Sequence, residues 1–281
     1  MVGEFDIAVV GGGIVGLASA YKIQKEYPKI RIVVLEKEDQ LATHQTGRNS
    51  GVIHSGLYYR PGSYRAKNCV NGRKQLVDFA KQHSIKHDLC GKVVVAVTED
   101  ELARLDKIYE TGKANGLEGI AKINQQQLKE IEPFVNGIAA IKVPEAGIID
   151  FVGVTNKLAQ LIVEINPESK ILTSCEVLSI EDGNKIRTSK GIVKASYNVF
   201  CGGLFSDRLA QKDGLRPDMR IVGFRGDYYD LTSQAMEKVK HLIYPVPNPE
   251  FPFLGVHFTR MVDGTIECGP NAVFTFKREG Y

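Results

Sequence analysis

The sequence has no tryptophan, no C-x-x-C pair and no marked excess of charge, and each lack narrows what the chain can be. Its five cysteines, Cys69, Cys90, Cys175, Cys201 and Cys268, are odd in number and far apart, which excludes a disulfide framework or a zinc module and fits a reducing compartment. The 36 basic and 33 acidic residues leave a net charge of +3, too small and too evenly spread for a nucleic-acid surface. No DNA or RNA partner is expected. No apolar run approaches the ~18 residues that a membrane-spanning helix requires. The opening residues up to Asp6 carry an acidic group and no basic stretch, so neither a signal nor a transit peptide is expected. The expected location is the cytoplasm, with peripheral contact at the inner membrane left open. What remains is an ordinary globular balance, 43% hydrophobic and 25% charged over 281 residues, enough for one large or two modest cores.

Ile7-Ala8-Val9-Val10 is a short apolar run that stops at glycines, the pattern of a central parallel strand buried on both faces. A helix is predicted over 15–26, ended by Pro28, and a second strand over 30–35, so the chain opens with a strand-helix-strand unit. Residues 43–61 show neither helical nor strand period and read as a long ordered loop or a broken strand-turn segment, and long loops inside a compact domain are usually functional. Helices are predicted over 63–83, 99–115, 125–132 and 151–165, and a strand over 92–98. Strands follow over 170–180, 185–188 and 191–194, punctuated by an Asp182-Gly183-Asn184 turn, and another over 198–201 runs into Gly202-Gly203. From Arg220 onward the pattern is strands and turns, with candidate strands over 253–259 and 265–268. No internal repeat or low-complexity tract occurs.

Gly11-Gly12-Gly13-Ile14-Val15-Gly16 is a G-x-G-x-x-G sequence placed after a buried strand and at the start of a helix. Gly11 permits the tight turn, Gly13 lets backbone approach a pyrophosphate, and Gly16 lets helix pack on strand. The helix start then offers unpaired N–H groups and the positive end of its dipole to phosphates. About twenty residues past Gly16, Glu36 ends the second strand, where a carboxylate accepts hydrogen bonds from a ribose. An acidic residue there fits FAD or NAD and argues against NADP. The Ser-, Asn- and Gly-rich loop from His44 to Gly56 favours FAD, because a retained isoalloxazine needs backbone running along the pyrophosphate and under the ring.

The segments Glu36-Lys37-Glu38, Thr46-Gly47-Arg48-Asn49-Ser50-Gly51-Val52-Ile53-His54-Ser55-Gly56-Leu57-Tyr58-Tyr59 and Pro61-Gly62-Ser63 resemble the L-2-hydroxyglutarate oxidase/dehydrogenase family of flavoproteins. So do Gly223-Phe224-Arg225-Gly226-Asp227-Tyr228-Tyr229, Phe253-Leu254-Gly255-Val256-His257-Phe258-Thr259 and Gly269-Pro270-Asn271-Ala272-Val273, so the likeness covers the whole chain. The resemblance implies oxidation of L-2-hydroxyglutarate, a 2-hydroxy dicarboxylate, to 2-oxoglutarate, with hydride passing from Cα to FAD and electrons leaving to oxygen or a quinone. Such chemistry needs a base near the hydroxyl, cations for two carboxylates and a dry pocket.

His54 and His257 are the candidate bases, His54 expected near the flavin and His257 near the substrate. Arg225, between glycines in an apolar-aromatic segment, is the candidate carboxylate clamp. Tyr58, Tyr59 and Arg260 are candidates for the pocket wall. Lys37, Thr46, Arg48, Asn49, Ser50, Gly51 and Val52 join Gly11, Gly13, Ile14, Val15, Gly16 and Glu36 as expected cofactor contacts. Val177 resembles the position where such flavoproteins meet adenine with backbone, and Gly202-Gly203 resembles their second glycine motif. His83 and His87 stand four apart, but interleaved lysines and the lack of an H-E-x-x-H pattern argue against a metal.

The expected architecture is α/β, a Rossmann-type FAD-binding domain with a mixed-sheet α+β substrate domain. The boundaries expected are 1–88 and 146–220 for the first and 89–145 and 221–281 for the second. Flavoproteins of this fold return a last strand and helix to the nucleotide domain, and none is predicted before Tyr281, so the chain reads as C-terminally truncated relative to the family. Two rival readings stay open: a sister flavoenzyme acting on glycerol 3-phosphate or an amino acid, and a non-catalytic FAD-binding fragment.

Overall fold

A computed structural model describes residues 2–181, 185–250 and 255–279. By their contacts these divide into two units, one from the described residues within 1–49, 151–223 and 275–281, the other from those within 50–150 and 224–274.

In the first unit Gly3–Val10 lies between Gly191–Phe200 and Ile32–Leu35, parallel to both, and Lys170–Leu172 extends the parallel set beyond Ile32–Leu35. The hairpin strands Val177–Glu181 and Lys185–Thr188 close the other edge antiparallel. Every residue of Ile32–Leu35 is buried, as a run of β-branched residues and leucine between two neighbours requires. The helices Ile14–Glu26 and Phe151–Ile165 pack on each other. The second presents Val154, Leu158 and Ile162 at intervals of four, a stripe that is buried.

A polar network sets the angle at which the first helix hands over to its strand. Gln24 is fully buried, its Nε2 faces the carbonyls of Tyr27, Pro28 and Ile30 at 3.3, 3.3 and 3.0 Å, and its Oε1 accepts from Ser169 Oγ at 2.7 Å. Ser169 Oγ in turn accepts from the Ile32 N–H at 2.8 Å. One amide thus ties together three turn carbonyls past the helix end, of which that of Tyr27 also accepts from the Ile30 N–H and that of Ile30 from Asn166 Nδ2 at 2.7 Å.

In the second unit seven strands form a mixed sheet in the order Tyr229–Asp230, Ile266–Gly269, His257–Arg260, Leu242–Pro245, Lys92–Ala96, Ala139–Val143 and Ala121–Asn124. Leu242–Pro245 pairs parallel to Lys92–Ala96, and the other pairings are antiparallel. The run Lys92-Val93-Val94-Val95-Ala96 is buried throughout because both faces are covered. Val94, Ala96, Leu242 and Tyr244 enter a core with Leu57, Leu105 and Ile141, while Val93, Val95 and Ile243 enter another with Leu128 and Ile266. A small sheet of Val52–Ile53, Gly147–Ile149 and His87–Asp88 completes the unit.

Several elements differ from their sequence expectation, each for a tertiary reason. The stretch read as one strand over 170–180 is two, because Ser174 turns the chain at φ 46° while its N–H reaches the Glu38 carbonyl. The segments read apart at 191–194 and 198–201 are one strand, since pairing with Gly3–Val10 continues through Ala195 and Tyr197 and overrides the polar Ser196. The helix read over 99–115 begins as a 3₁₀ turn at Glu99–Glu101. The candidate strand over 253–259 is His257–Arg260; residues 253 and 254, like the Asp182-Gly183-Asn184 turn, lie outside the described residues. Residues 50–88 were expected with the nucleotide-binding part. They cluster with the second unit, where Val52–Ile53 and His87–Asp88 both pair with Gly147–Ile149. At the other end the residues from 275 cluster with the first unit, through Lys37–Glu279 and Arg278–Asp207 ion pairs.

Gln24→Leu should lower unfolding stability by about 1–3 kcal/mol, because it leaves the Pro28 carbonyl without its amide and the Ser169 O–H without an acceptor, while the Tyr27 and Ile30 carbonyls keep the Ile30 N–H and Asn166 Nδ2. Urea unfolding measures this, and an unchanged midpoint would show that the network does not hold the turn.

Candidate functional site

The first unit builds a cradle at the end of Gly3–Val10. Gly11 adopts φ 120°, open to glycine, and a Cβ there would stand 2.3 Å from the Cys201 carbonyl oxygen. A Cβ on Gly16 would stand 2.0 Å from the Gly11 carbonyl oxygen, so the helix lies on the turn at a distance that no side chain permits. Gly13 caps Ile14–Glu26 with no side-chain bond, the Ile14 N–H donates to Thr46 Oγ1 at 3.0 Å, and Val15 is 65% exposed at the helix start. The Glu36 carboxylate accepts from the Gly12 N–H at 2.7 Å through Oε2 and from the Glu38 N–H at 2.9 Å through Oε1. It is buried and locked beside the turn.

Above this cradle opens a cavity of about 760 Å³. Of the expected cofactor contacts, Gly11, Gly13, Ile14, Val15, Glu36, Lys37, Thr46, Asn49, Val177, Gly202 and Gly203 line it, whereas Gly16 stays behind the turn as the packing residue. Arg48, Ser50, Gly51 and Val52 do not line it. Arg48 Nε donates to the Thr43 carbonyl at 3.1 Å, and Val52 pairs with Ile148 in the small sheet of the second unit. Lys212 and Arg208, which sequence reasoning missed, also face the cavity. Lys212 Nζ donates to the Val177 carbonyl at 2.6 Å, so a cation stands at the strand end expected to meet adenine. At the rim Glu38, His44 and Glu279 have ligand atoms within 4.8 Å of one another, a spacing a metal ion uses. Lys37 contacts both carboxylates and supplies the positive charge there. Burial works against the Lys37 ammonium, but its bonds to Glu279 and Glu38 outweigh it and hold the pKa above the usual lysine value.

The second unit gathers a different chemistry. His257 is buried, its Nδ1 lies 2.9 Å from the Gly255 carbonyl, and its ring stacks on Tyr244 at 4.1 Å between centroids. Lys92, at 1% exposure, holds its Nζ 3.9 Å above the Tyr244 ring and 5.4 Å from the Tyr58 ring. His54 follows the short strand Val52–Ile53, and its carbonyl accepts from Cys69 Sγ at 3.3 Å. Part of His54 meets solvent, yet crowding by protein, then the Lys92 and His257 charges, push its pKa down to about 4. Burial, then Lys92, also lowers His257 against the pull of the Gly255 carbonyl. Both imidazoles are therefore neutral near pH 7. Arg225 does not join them: it is exposed and its Nε pairs with Asp227 Oδ1 at 2.7 Å. Arg260 is held by the Lys240 carbonyl at 2.9 Å and faces Asp88 at 3.7 Å. Tyr59 is half-buried with Arg65 4.8 Å over its ring. His83 packs against Phe79 with the rings tilted at 56°, and His87 Nδ1 lies 2.8 Å from the Ile85 carbonyl.

The family model described as FAD dependent oxidoreductase matches residues 6–280, almost the whole chain. This chain belongs to the FAD-dependent oxidoreductase family. Among its relatives, the L-2-hydroxyglutarate dehydrogenase of Indibacter alkaliphilus is 47% identical over 99% of this chain and 70% of that protein. The human mitochondrial L-2-hydroxyglutarate dehydrogenase is 48% identical over 99% of this chain and 63% of its own length. The chain thus spans about two thirds of the curated relatives it matches. Among solved structures it resembles the dithionite-reduced L-α-glycerophosphate oxidase of Mycoplasma pneumoniae with FAD bound, at a TM-score of 0.87 and 26% identity, covering 98% of this chain and 73% of that one. The glycine oxidase of Geobacillus kaustophilus shares the fold at a TM-score of 0.82 and 18% identity, with 98% and 73% covered.

FAD, the cofactor of the family, fits the cradle on the protein's own terms. Gly11, Gly13 and Gly16 leave the space that Cβ atoms would take, the helix start faces the cavity, and Glu36, fixed beside the turn and lining the cavity, is the carboxylate that would accept from a ribose. The volume lies in the ordinary range for ligand pockets. Among the described residues no helix is long and apolar enough to cross a membrane.

Gly16→Ala should weaken FAD binding about tenfold or more, since its Cβ meets backbone that cannot yield and overpacking costs about 1–3 kcal/mol. Equilibrium dialysis of FAD, read by flavin absorbance, checks it. Unchanged retention would remove the close helix approach from the account of the cradle.

Proposed function

We infer that the chain carries out the oxidation of L-2-hydroxyglutarate to 2-oxoglutarate, handing the Cα hydride to FAD and the electrons onward to oxygen or a quinone. The observation that carries this reading is identity of 43–48% over nearly the whole chain to proteins named L-2-hydroxyglutarate dehydrogenase from bacteria and animals. The buried polar cluster of the second unit supports it, because alcohol oxidation needs a proton acceptor in a site poor in water.

Bound FAD supplies the acceptor for the hydride. The remaining work falls to side chains. His257 is the base in this reading: its Nδ1–H donates to the Gly255 carbonyl, which fixes the tautomer and leaves Nε2 with a lone pair for the substrate hydroxyl. Stacking on Tyr244 holds the ring plane. His54, kept neutral by its surroundings, orients the hydroxyl or a water without adding a second positive charge beside Lys92. Tyr58, whose hydroxyl is buried and whose ionisation burial pushes far up, stays a neutral donor.

The likeness to L-α-glycerophosphate oxidase supports a second reading in which the alcohol is glycerol 3-phosphate. Anaerobic addition of each compound to the FAD-loaded protein separates the two. L-2-hydroxyglutarate should bleach the flavin in proportion to the amount added and glycerol 3-phosphate should not; the reverse pattern overturns the assignment.

His257→Asn should slow flavin reduction about 10²- to 10⁴-fold at neutral pH while leaving FAD bound. Because the folded pKa of His257 lies below 6.5, its proton-accepting form persists to lower pH than a free imidazole allows. The acid limb of kcat/KM should therefore fall below pH 6.5. Stopped-flow reduction across pH measures both, and a limb above 6.5 would take the role from His257.

A further inference from the structure

Lys92 is a fully buried titratable group of the second unit whose charge the reading above does not use, and unlike the buried Glu132, which pairs with His241, it has no counter-charge among the described residues. It opens the strand Lys92–Ala96, pairs in register with Leu242, and at 1% exposure is among the largest fully buried side chains of the chain. The groups that act on it are Cys69, His54, His257, Tyr58 and Tyr244, and no carboxylate is among them. A buried ammonium without an anion is costly, and two aromatic faces return only part of what water supplies. Beside it, with its ring 5.4 Å from the ammonium, stands Tyr58, whose hydroxyl is buried and has no hydrogen-bond partner among the described residues. The Ser55 hydroxyl of the same loop is buried without a partner among them too. A cation and an unsatisfied hydroxyl brought together from a strand and a loop are the complement of an anionic oxygen ligand.

We propose that Lys92, with the Tyr58 hydroxyl, is the seat of a substrate carboxylate, the role that sequence reasoning gave to Arg225. The assignment rests on the 2-hydroxy dicarboxylate reading for its substrate and on the burial and orphaned hydroxyls for its place. The carboxylate supplies the negative charge the lysine lacks and accepts from the tyrosine. Its binding also changes the lysine's proton affinity, and the sign is fixed. Burial, opposed weakly by Cys69, lowers Lys92 from 10.5 to about 8 in the free protein. An anion at Nζ favours the ammonium, so between about pH 8 and 10.5 binding takes up a proton, and below about 8 it does not.

The test is calorimetric titration of the FAD-loaded protein with malonate and with 2-oxoglutarate, from pH 6 to 10, in buffers of different ionisation enthalpy. In the wild type, affinity should hold steady below about pH 8. Above that it should weaken about tenfold per pH unit, with proton uptake. Lys92→Met should weaken both ligands at least about thirtyfold at pH 7, the loss expected when one member of a buried charge pair is removed. The same variant should abolish the proton uptake and keep the thermal midpoint at or above that of the wild type. Tyr58→Phe, which removes one oxygen and little else, should weaken binding about three- to tenfold. Binding by Lys92→Met within threefold of the wild type, uptake that persists in it, or a wild type without uptake above about pH 8 overturns the proposal. Should Lys92→Met fail to fold, an unchanged affinity in Tyr58→Phe overturns it. Lysine-dependent binding of malonate in a protein whose flavin L-2-hydroxyglutarate does not bleach would leave the carboxylate seat standing and sink the substrate reading alone.

Discussion

The contact on which the first unit depends is the approach of the helix Ile14–Glu26 to the turn that precedes it. With 2.0 Å between the Gly11 carbonyl oxygen and the place a Gly16 Cβ would take, helix and strand lie closer than any side chain allows. Three consequences follow from that one distance. The helix start is aimed at the cavity, its N-cap Gly13 supplies no side-chain bond and Thr46 takes the Ile14 N–H, and the Gly12 N–H comes within 2.7 Å of the Glu36 carboxylate, which ties the first strand's turn to the end of the second. Glu36 is then fixed before any ligand arrives, and little conformational entropy remains to be lost on binding. The Gln24 network acts on the same helix from its other end, so both ends of the element are constrained by backbone groups.

The second unit is arranged on a different principle, a charge held where water cannot reach it. Lys92 belongs to a strand whose other members are valine and alanine, and its neighbours across the sheet are Leu242 and Val143. An apolar side chain in that place would make a more stable sheet. Strain of this kind persists where it serves a site. Burial first, and then the reach of the ammonium, displaces both His54 and His257 toward the neutral form.

What the sequence makes legible follows from the range over which each constraint acts. The glycine turn is written in six consecutive residues because it is a backbone requirement, and Gly11, Gly13 and Glu36, read from spacing, and Thr46 and Asn49, read from the loop and the family resemblance, all line one cavity. The helix Phe151–Ile165 is likewise local, its stripe visible at intervals of four. Lys92 was legible only as the first residue of a strand, a position where lysine ordinarily meets solvent. Its burial is set by Tyr58 and Tyr244, which stand far from it in sequence. The converse holds for Arg225: flanking glycines and aromatics suggested a clamp, but Asp227, two residues on, takes its guanidinium. The boundary at residue 50 escaped for the same reason, because Val52–Ile53 is a two-residue strand whose partner lies near residue 148.

The two principles meet in the chemistry of proton transfer. An imidazole depressed to about 4, as His54 is, is always ready to accept a proton at neutral pH but holds it weakly. A carboxylate seated against Lys92, as proposed, would pair the positive charge that both histidines face and so lift the smaller part of their depression, while burial, the larger cause, remains. Their basicity would rise with the substrate in place and fall again when it leaves. If Lys92 seats a carboxylate as proposed, proton abstraction would be favoured for a ligand that brings an anion to it over a simple alcohol or water, which do not. The cost of burying an unpaired ammonium would then become selectivity, exerted in part through the base and not only through the shape of the pocket.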